Sequence, residues 1–496
     1  MDTGVTTDDE RREACGEGRG MADVPPPWPA QAEAVEFALA RPAAMLDMGM
    51  GCGKTRVAIE VVGARPDVAK VLVVCPKAVV PVWLRQVERF GPATGRRWRV
   101  MCKRPGETVR AFADRARDAL THGHASVEAV QAFVVNYESV WRAPLGDLLC
   151  QVAERGMLQM VVLDESHRAK AAGSKVSKYL AMLGRRARYR LCLSGTPMAN
   201  SPLDVYGQYR FLDRSIFGTN HERFLQAYAV MGGPDRNFVV GYKNQRDLMD
   251  RFRSIAYTCS LEDVADRAKL PDALPDQVLP VSLPARDMRA LRDLQRDFVA
   301  ECGGGFATAS NVLVRLLRMQ QITSGFCEVQ PGPGEAGELR ELNPAKYDAA
   351  LDWARDLPPG ERLVVFCTFT HDLDMSRRLS EALGRPFFEL SGREHRADEW
   401  EASEGGLLAV QIQAGAEGVD LTASSRALYW SLPHSLALYE QSRARIRRPG
   451  QSRPAQFVHL VAEGTVDEGV YESLRAKRDV IDAVRDGSFD FGYMRK

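Results

Sequence analysis

Long apolar runs are missing from this chain of 496 residues. No stretch reaches the roughly 18 apolar residues that a membrane-spanning helix needs, so no membrane association is expected. Paired cysteines are missing as well. The ten cysteines are scattered with no C-x-x-C, which argues against structural zinc and against a disulfide framework, and for a reducing compartment. Charge of one sign is not in excess. The net charge of +1 means that a nucleic-acid partner would need a local basic surface rather than a globally basic chain. There is no low-complexity block. The opening "MDTGVTTDDERREACGEGRG" lacks an apolar core, so it is not a secretory signal and reads as a disordered tail over residues 1–23. The last absence is local: the strict phosphate-loop pattern asks for a glycine five positions before Gly53, and Met48 stands there.

What is present is ordinary for globular protein, with 45% hydrophobic and 26% charged residues. Prolines in "VPPPWPAQ" at 24–31 mark the end of the tail. Short apolar, β-branched runs then recur: "AAMLDM" at 43–48, "KVLVVCP" at 70–76, "AFVVNYE" at 132–138, "LQMVVLDES" at 158–166 and "YRLCLSGTP" at 189–197. Helical stretches separate them, and this alternation predicts a doubly wound parallel sheet. From about 200 to 340 long charged helical segments replace the rhythm, such as "SLPARDMRALRDLQRDFVAE" and "SNVLVRLLRMQQI". The alternation returns with "ERLVVFCTFT" at 361–370, "PFFELSG" at 386–392, "GGLLAVQIQAG" at 405–415, "SRALYWSLP" at 425–433 and "PAQFVHLVAEG" at 454–464. The expected organisation is a tail (1–23), a first α/β lobe (24–280) with a helical insertion from about 200, a helical linker (281–340), a second α/β lobe (341–485) and a short tail (486–496).

Two constellations carry chemistry. In "AAMLDMGMGCGKTRVAIEVV" at 43–62, Gly49, Gly51 and Gly53 lie between a strand and a helix. Glycines there let backbone N–H groups turn around a phosphate, and the helix N-terminus adds its positive dipole end. Lys54 would reach the β- and γ-phosphates and the Thr55 hydroxyl would hold Mg²⁺. The plain alternative is a glycine-rich turn between two buried elements. In "LDESH" at 163–167, Asp164 at a strand end can hold Mg²⁺ through water, and Glu165 can orient or deprotonate an attacking water. The plain alternative there is a solvated acidic turn. His167 either relays between lobes or caps the turn.

These motifs resemble superfamily-two helicases, and within them the Swi/Snf-type DNA translocases, over residues 25 to 485. Met48–Thr55 follows that family's D-E-M-G-L-G-K-T, where the first loop position need not be glycine. "LDESH" resembles its D-E-x-H box, "LSGTP" at 193–197 its motif III, "VCPKAVVPVW" at 74–83 its motif Ia and "NYESV" at 136–140 its motif Ib. Lys77 and Tyr137 are then either DNA-contact residues or ordinary surface and core residues. "FCTFTHDLD" at 366–374 is similar to motif IV, and "QAGAEGVDLT" at 413–422 to motif V, with Gly415, Gly418 and Asp420 in place and Ile412 where the family has a phosphate-contacting Thr. "QSRARIRRPGQ" at 441–451 is similar to motif VI: Gln441, Arg445, Arg448, Gly450 and Gln451 fall in register, and Ala444 replaces a glycine. "GTVDEGVYESLRAKR" at 464–478, "NSPLDVYGQYRFLD" at 200–213 and "RLLRMQQITSGF" at 315–326 extend the likeness.

The resemblance implies two RecA-like lobes and a DNA-dependent ATPase. Its catalytic residues would be Lys54, Asp164, Glu165, Arg445 and Arg448, the last two as arginine fingers whose planar guanidinium suits a γ-phosphoryl group. ATP would be held by Gln31, Gly49, Gly51, Gly53, Lys54, Thr55, Gly418, Asp420 and Gln441, and Mg²⁺ by Thr55 and Asp164. The expected partner is duplex DNA, gripped by its backbone and hence without sequence specificity. The protein is expected to be a monomer in the cytoplasm of a bacterial or phage-infected cell; the sequence points to no protein partner. A strand-separating helicase, a nucleotide-gated scaffold for replication or repair, and a nuclease are the alternatives. No separating wedge and no further metal-carboxylate constellation is visible in the sequence.

Overall fold

Strands made of Val, Leu, Ile, Ala and Cys without polar alternation must be covered on both faces, which is the situation of a parallel sheet between helix layers. The computed structural model describes residues 24–486 apart from 122–126, 199–200, 233–237, 266–268, 298, 303–304, 309–311, 330–336 and 416–418. The tails expected at 1–23 and beyond 486 lie outside the described residues. By its contacts the chain divides into two units, the boundary falling between Val264 and Ala265; sequence reasoning placed that boundary at 280.

In the first unit β1 (Ala43–Met48), β2 (Lys70–Cys75) and β5 (Met160–Asp164) are buried at every position. With β3 (Arg97–Cys102), β4 (Ala129–Asn136), β6 (Tyr189–Ser194) and a later strand they form one parallel sheet. After β6 the chain leaves the sheet through the helices Val205–Leu212, Arg214–Phe217 and His221–Tyr228, the hairpin β7 (Ala229–Gly232)–β8 (Phe238–Tyr242) and the helix Gln245–Arg253. It returns as β9 (Ala256–Cys259), which pairs with β1. The sheet order is β3-β4-β2-β5-β6-β1-β9, every pair parallel. All these strands point their C-terminal ends to one edge, where open α/β sheets place their ligand sites.

The second unit repeats the architecture. Strands β10 (Gln277–Val281), β15 (Leu363–Cys367), β16 (Phe387–Leu390), β17 (Leu407–Gln411), β18 (Arg426–Tyr429) and β19 (Gln456–Ala462) form a parallel sheet in the order β10-β19-β18-β15-β17-β16. Both faces are packed, one around Trp400, Tyr429 and Phe457 and the other around Trp430, Leu363 and Leu460. The hairpins β11 (Val299–Cys302)–β12 (Gly305–Thr308) and β13 (Phe326–Val329)–β14 (Glu338–Glu341) lie with the helices Ala285–Asp297 and Val312–Thr323, and a small separate core of Leu291, Leu294, Ile322, Cys327 and Val329 forms there. The closing helix spans Val466–Asp486. No helix among the described residues is long and apolar enough to cross a membrane.

Candidate nucleotide site

β1 ends at Met48, and five residues separate it from the helix Lys54–Gly63. Between them Gly51 and Gly53 take φ of 88° and 86°, backbone that a side chain rarely adopts, so glycine is required at both. Gly49 does something different. Its N–H donates to Cys259 O at 2.7 Å, extending the β1–β9 pairing, so this amide belongs to the sheet rather than to a phosphate cradle. Lys54 is buried, and its Nζ donates to Met48 O at 2.9 Å and Gly49 O at 3.3 Å. No carboxylate lies within 4 Å of it among the described residues. A buried ammonium held only by carbonyls is a fitting partner for a phosphate oxyanion.

Gln31 lies over this loop. Its Nε2 donates to Cys52 O at 3.0 Å and its Oε1 accepts from Trp28 N–H at 3.1 Å. A Cβ on Gly53 would sit 2.4 Å from Gln31 Nε2, so the side chain is packed on the loop itself. The amide expected to read a base therefore also ties the helix Pro29–Leu39 to the loop.

Asp164 closes β5 in near-complete burial. Its Oδ2 accepts from Trp83 Nε1 at 2.8 Å, its Oδ1 from Glu165 N–H at 3.0 Å, and its carbonyl from Tyr137 OH at 2.8 Å. Burial first, then the neighbouring Glu165 charge, push its carboxyl up to about 6; Trp83 and Lys54 oppose this. Glu165 adopts φ 51°, ψ 52°, a left-handed conformation that costs a non-glycine residue about 1–3 kcal/mol. His167 Nδ1 stands 3.3 Å from Glu165 Oε2. Motif III abuts the loop, since a Cβ on Gly195 would meet Met48 O at 3.2 Å and Lys54 Nζ at 3.4 Å.

Two residues for which the sequence suggested no role hold this site together. Trp83 comes from the helix Val80–Phe90, 81 positions away from the carboxylate it orients. Gln208, fully buried on the helix Val205–Leu212, accepts from Ser166 Oγ at 2.7 Å and donates to Pro197 O at 2.8 Å, so it bridges the D-E-S-H turn and the G-T-P turn. The only sequence signal for Gln208 was its place in the stretch 200–213.

Asp164 also yields a stability prediction. Its pKa is higher folded (about 6) than unfolded (near 3.8), so its favourable contribution is fully present below pH 3.8 and is lost as pH rises through 6. The Asp164→Asn protein should therefore be more stable than the parent at pH 7.5, by on the order of 1–3 kcal/mol, with the gain shrinking toward pH 4. Thermal unfolding of both nucleotide-free proteins across that range checks it. A lower midpoint for the variant at pH 7.5 would contradict the assignment.

In the second unit the helix Leu436–Ile446 carries Gln441 and Arg445, and Arg448 follows two residues after its end. Gln441 is buried with its Oε1 unpartnered. Arg445 O accepts from Leu421 N–H at 3.0 Å. Arg448 Nη1 lies 3.7 Å from Asp420 Oδ2, a long and half-exposed pair, while Asp420 Oδ1 accepts from Thr422 N–H and Oγ1 at 3.0 and 2.8 Å. The turn after the arginines is closed by buried Gln451, whose Nε2 donates to Ser424 O at 2.8 Å. Ile412 is fully buried, which suits its replacement of a phosphate-contacting Thr. Gly418 lies outside the described residues.

Comparison with protein families agrees with this geometry: the model of the SNF2-related domain matches residues 30–290, just over half of the chain. The chain belongs to the SNF2-related domain family. Across the family it is similar to the Chromodomain-helicase-DNA-binding protein 1-like of Danio rerio (24% identical over 88% of this chain and 41% of that protein) and to the DNA repair and recombination protein RAD54-like of Homo sapiens (22%, 88% and 62%). It is also similar to Putative protein p41 of Acyrthosiphon pisum secondary endosymbiont phage 1, at 24% identity over 88% of this chain and 92% of that one. The chain spans less than half the length of several curated relatives that it matches. Among solved structures, a Sulfolobus solfataricus SWI2/SNF2 ATPase core in complex with dsDNA aligns over 94% of both chains at 18% identity, with a TM-score of 0.41.

Proposed function

We propose that this chain hydrolyses ATP and uses the cycle to move along duplex DNA. One observation carries the ATPase reading. At the C-terminal edge of one parallel sheet, a loop with two left-handed glycines and a buried ammonium stands beside the buried carboxylate of Asp164 and the partly buried Glu165 that follows it. Thr55 and Asp164 offer oxygen donors only, a set that fits Mg²⁺ when phosphate oxygens and water complete its shell. When bound, Mg²⁺ would neutralise charge on the β- and γ-phosphates. In this reading Lys54 binds the phosphates, and the amides around Gly51 and Gly53 cradle them. Glu165 orients the attacking water and takes its proton, and Arg445 and Arg448 add positive charge to the transition state. DNA is supported by the family and by the relatives whose names describe action on DNA.

The test is ATPase rate with duplex, single-stranded and no DNA, side by side. Duplex should stimulate most, and the stimulation should fall steeply between about 50 and 200 mM salt, because phosphate contacts dominate affinity. The same preparation should displace the third strand of a triplex and leave a forked duplex largely paired. Efficient fork unwinding with stimulation by single strands alone would favour a strand-separating helicase instead.

A further inference from the structure

The first unit carries a cationic pocket that the nucleotide site does not use. The helices Lys175–Gly184 and Val205–Leu212 pack side by side, and Gly184 permits it: a Cβ there would meet Phe211 O at 2.6 Å. Where they abut, a pocket of about 200 Å³ is lined by Lys178, Arg185, Arg210, Arg214 and Thr219, with Ala181 and Met182 as its apolar part. Four lining residues are cations and none is an acid, in a chain whose whole net charge is +1.

The neighbouring arginines show how unusual this is. Arg186 pairs with Glu154 at 2.6 Å and Arg188 with Asp67 at 2.7 Å. Among the described residues, Lys178, Arg185 and Arg214 have no carboxylate within 4 Å. Arg210 is fixed in place, its Nη2 donating to Ala172 O at 2.9 Å and Ser177 Oγ at 3.0 Å, while its buried Nε has no partner. The positive field reaches nearby His221, whose imidazole is pushed below its ordinary range by burial and then by the Arg210 charge. Four cations without a carboxylate at ion-pair distance repel one another, a cost that a bound polyanion relieves; the adjacent Asp213 is engaged with Ser215, its Oδ1 accepting from Ser215 N–H and Oγ at 2.9 and 2.7 Å.

The pocket is separate from the site. Arg190, near the start of β6, donates to Gly184 O at 3.0 Å, so this helix end lies by the N-terminal edge of the sheet. The nucleotide loop, Asp164 and the motif Ia and Ib residues Lys77 and Tyr137 follow the C-terminal strand ends at the opposite edge.

We infer that this pocket binds phosphodiester groups of a DNA segment other than the stretch gripped at the strands' C-terminal edge. Guanidinium forks match phosphate oxygens, and the lining offers no aromatic face for a base, as expected of a site that reads only the backbone. The inference rests on the DNA reading above and adds a second contact to it. A translocase anchored at two points along one duplex would bind long DNA more tightly than short DNA.

The test uses the full chain with Arg185→Glu and Arg214→Glu combined, and a second variant with Gln at both positions. Affinity for a short and a long duplex is followed by fluorescence anisotropy across a salt series, with inorganic pyrophosphate as a competing small anion. The expected result is an unchanged DNA-free ATPase rate and thermal midpoint, and at least about 10-fold weaker binding of the long duplex. The slope of log affinity against log salt should be shallower by about 2, since each phosphate contact contributes about 0.9. The Gln variant should show the same slope change with a smaller loss. If the parent binds DNA and both variants match it in affinity and slope, the pocket proposal is overturned. Loss of pyrophosphate competition with long-duplex binding intact would overturn it too, making the pocket a small-anion site. A parent that binds no DNA would instead sink the translocase reading, a result the variants cannot produce.

Discussion

Glu165→Gln should leave ATP bound and all but stop its hydrolysis. The amide is isosteric, so the left-handed backbone at φ 51° and the contact region around His167 have no steric reason to change. What is lost is the acceptor for the water's proton, and general-base losses run at roughly 10²–10⁴ in rate. A strained non-glycine residue directly after a buried catalytic-type carboxylate is where a fold stores conformational cost for function. Titration with a fluorescent ATP analogue beside a steady-state phosphate-release assay separates binding from turnover. Lys54→Ala gives the contrasting pattern, weak binding, because its ammonium is the buried charge of the loop. Substantial turnover by purified Glu165→Gln would remove Glu165 from the role assigned to it.

Arg448→Ala should lower the rate by roughly 10² or more while changing ATP affinity only a few-fold. Arginine fingers supply on the order of 10³–10⁵ where measured in trans, and here Arg445 remains to carry part of that charge. The structure distinguishes Arg448 from a structural arginine. Its contact with Asp420 is 3.7 Å long and half-exposed, the kind of pair worth about 0–1 kcal/mol. Arg443, five residues earlier on the preceding helix, is buried and bidentate to Asp276 at 2.8 and 2.9 Å, and its loss would be felt as stability. The thermal midpoint of Arg448→Ala should thus stay near the parent's. A variant with weakened ATP binding and an undiminished rate at saturation would contradict the finger assignment.

The legible parts of the fold were the strands buried on both faces. β1, β2, β5, β15 and β17 announce themselves as mostly apolar runs, polar only at an end or, in β1, at Asp47, because central strands of a covered parallel sheet can tolerate little else. In the two large sheets β3, β9 and β10 were passed over, and the hairpins β7–β8, β11–β12 and β13–β14 stand where only helices were expected. β3, β9 and β10 are edge strands; β3 reads "RWRVMC" with exposed positions, β9 is four residues long, and β10 contains a proline that only an edge tolerates. Missing β9 also hid the way the chain returns to its first sheet after the insertion.

The sequence by itself determined the chemistry that depends on adjacency along the chain. Gly51, Gly53, Lys54 and Thr55 must lie within a few residues for one loop to turn around a phosphate, and Asp164 and Glu165 must stand at the end of one strand, so each group can be read from spacing. Only the tertiary structure decided which groups serve them from afar. Trp83 reaches Asp164 across 81 positions, Gln208 joins two turns across 42, and Gly49 gives its amide to Cys259 instead of to the loop. The cationic pocket is of the same kind, since Arg185 and Arg214, 29 positions apart, line one cavity where Gly184 lets its helix pack on Phe211. A hydrogen bond or a shared field depends on distance in space, and periodicity and spacing report only distance along the chain.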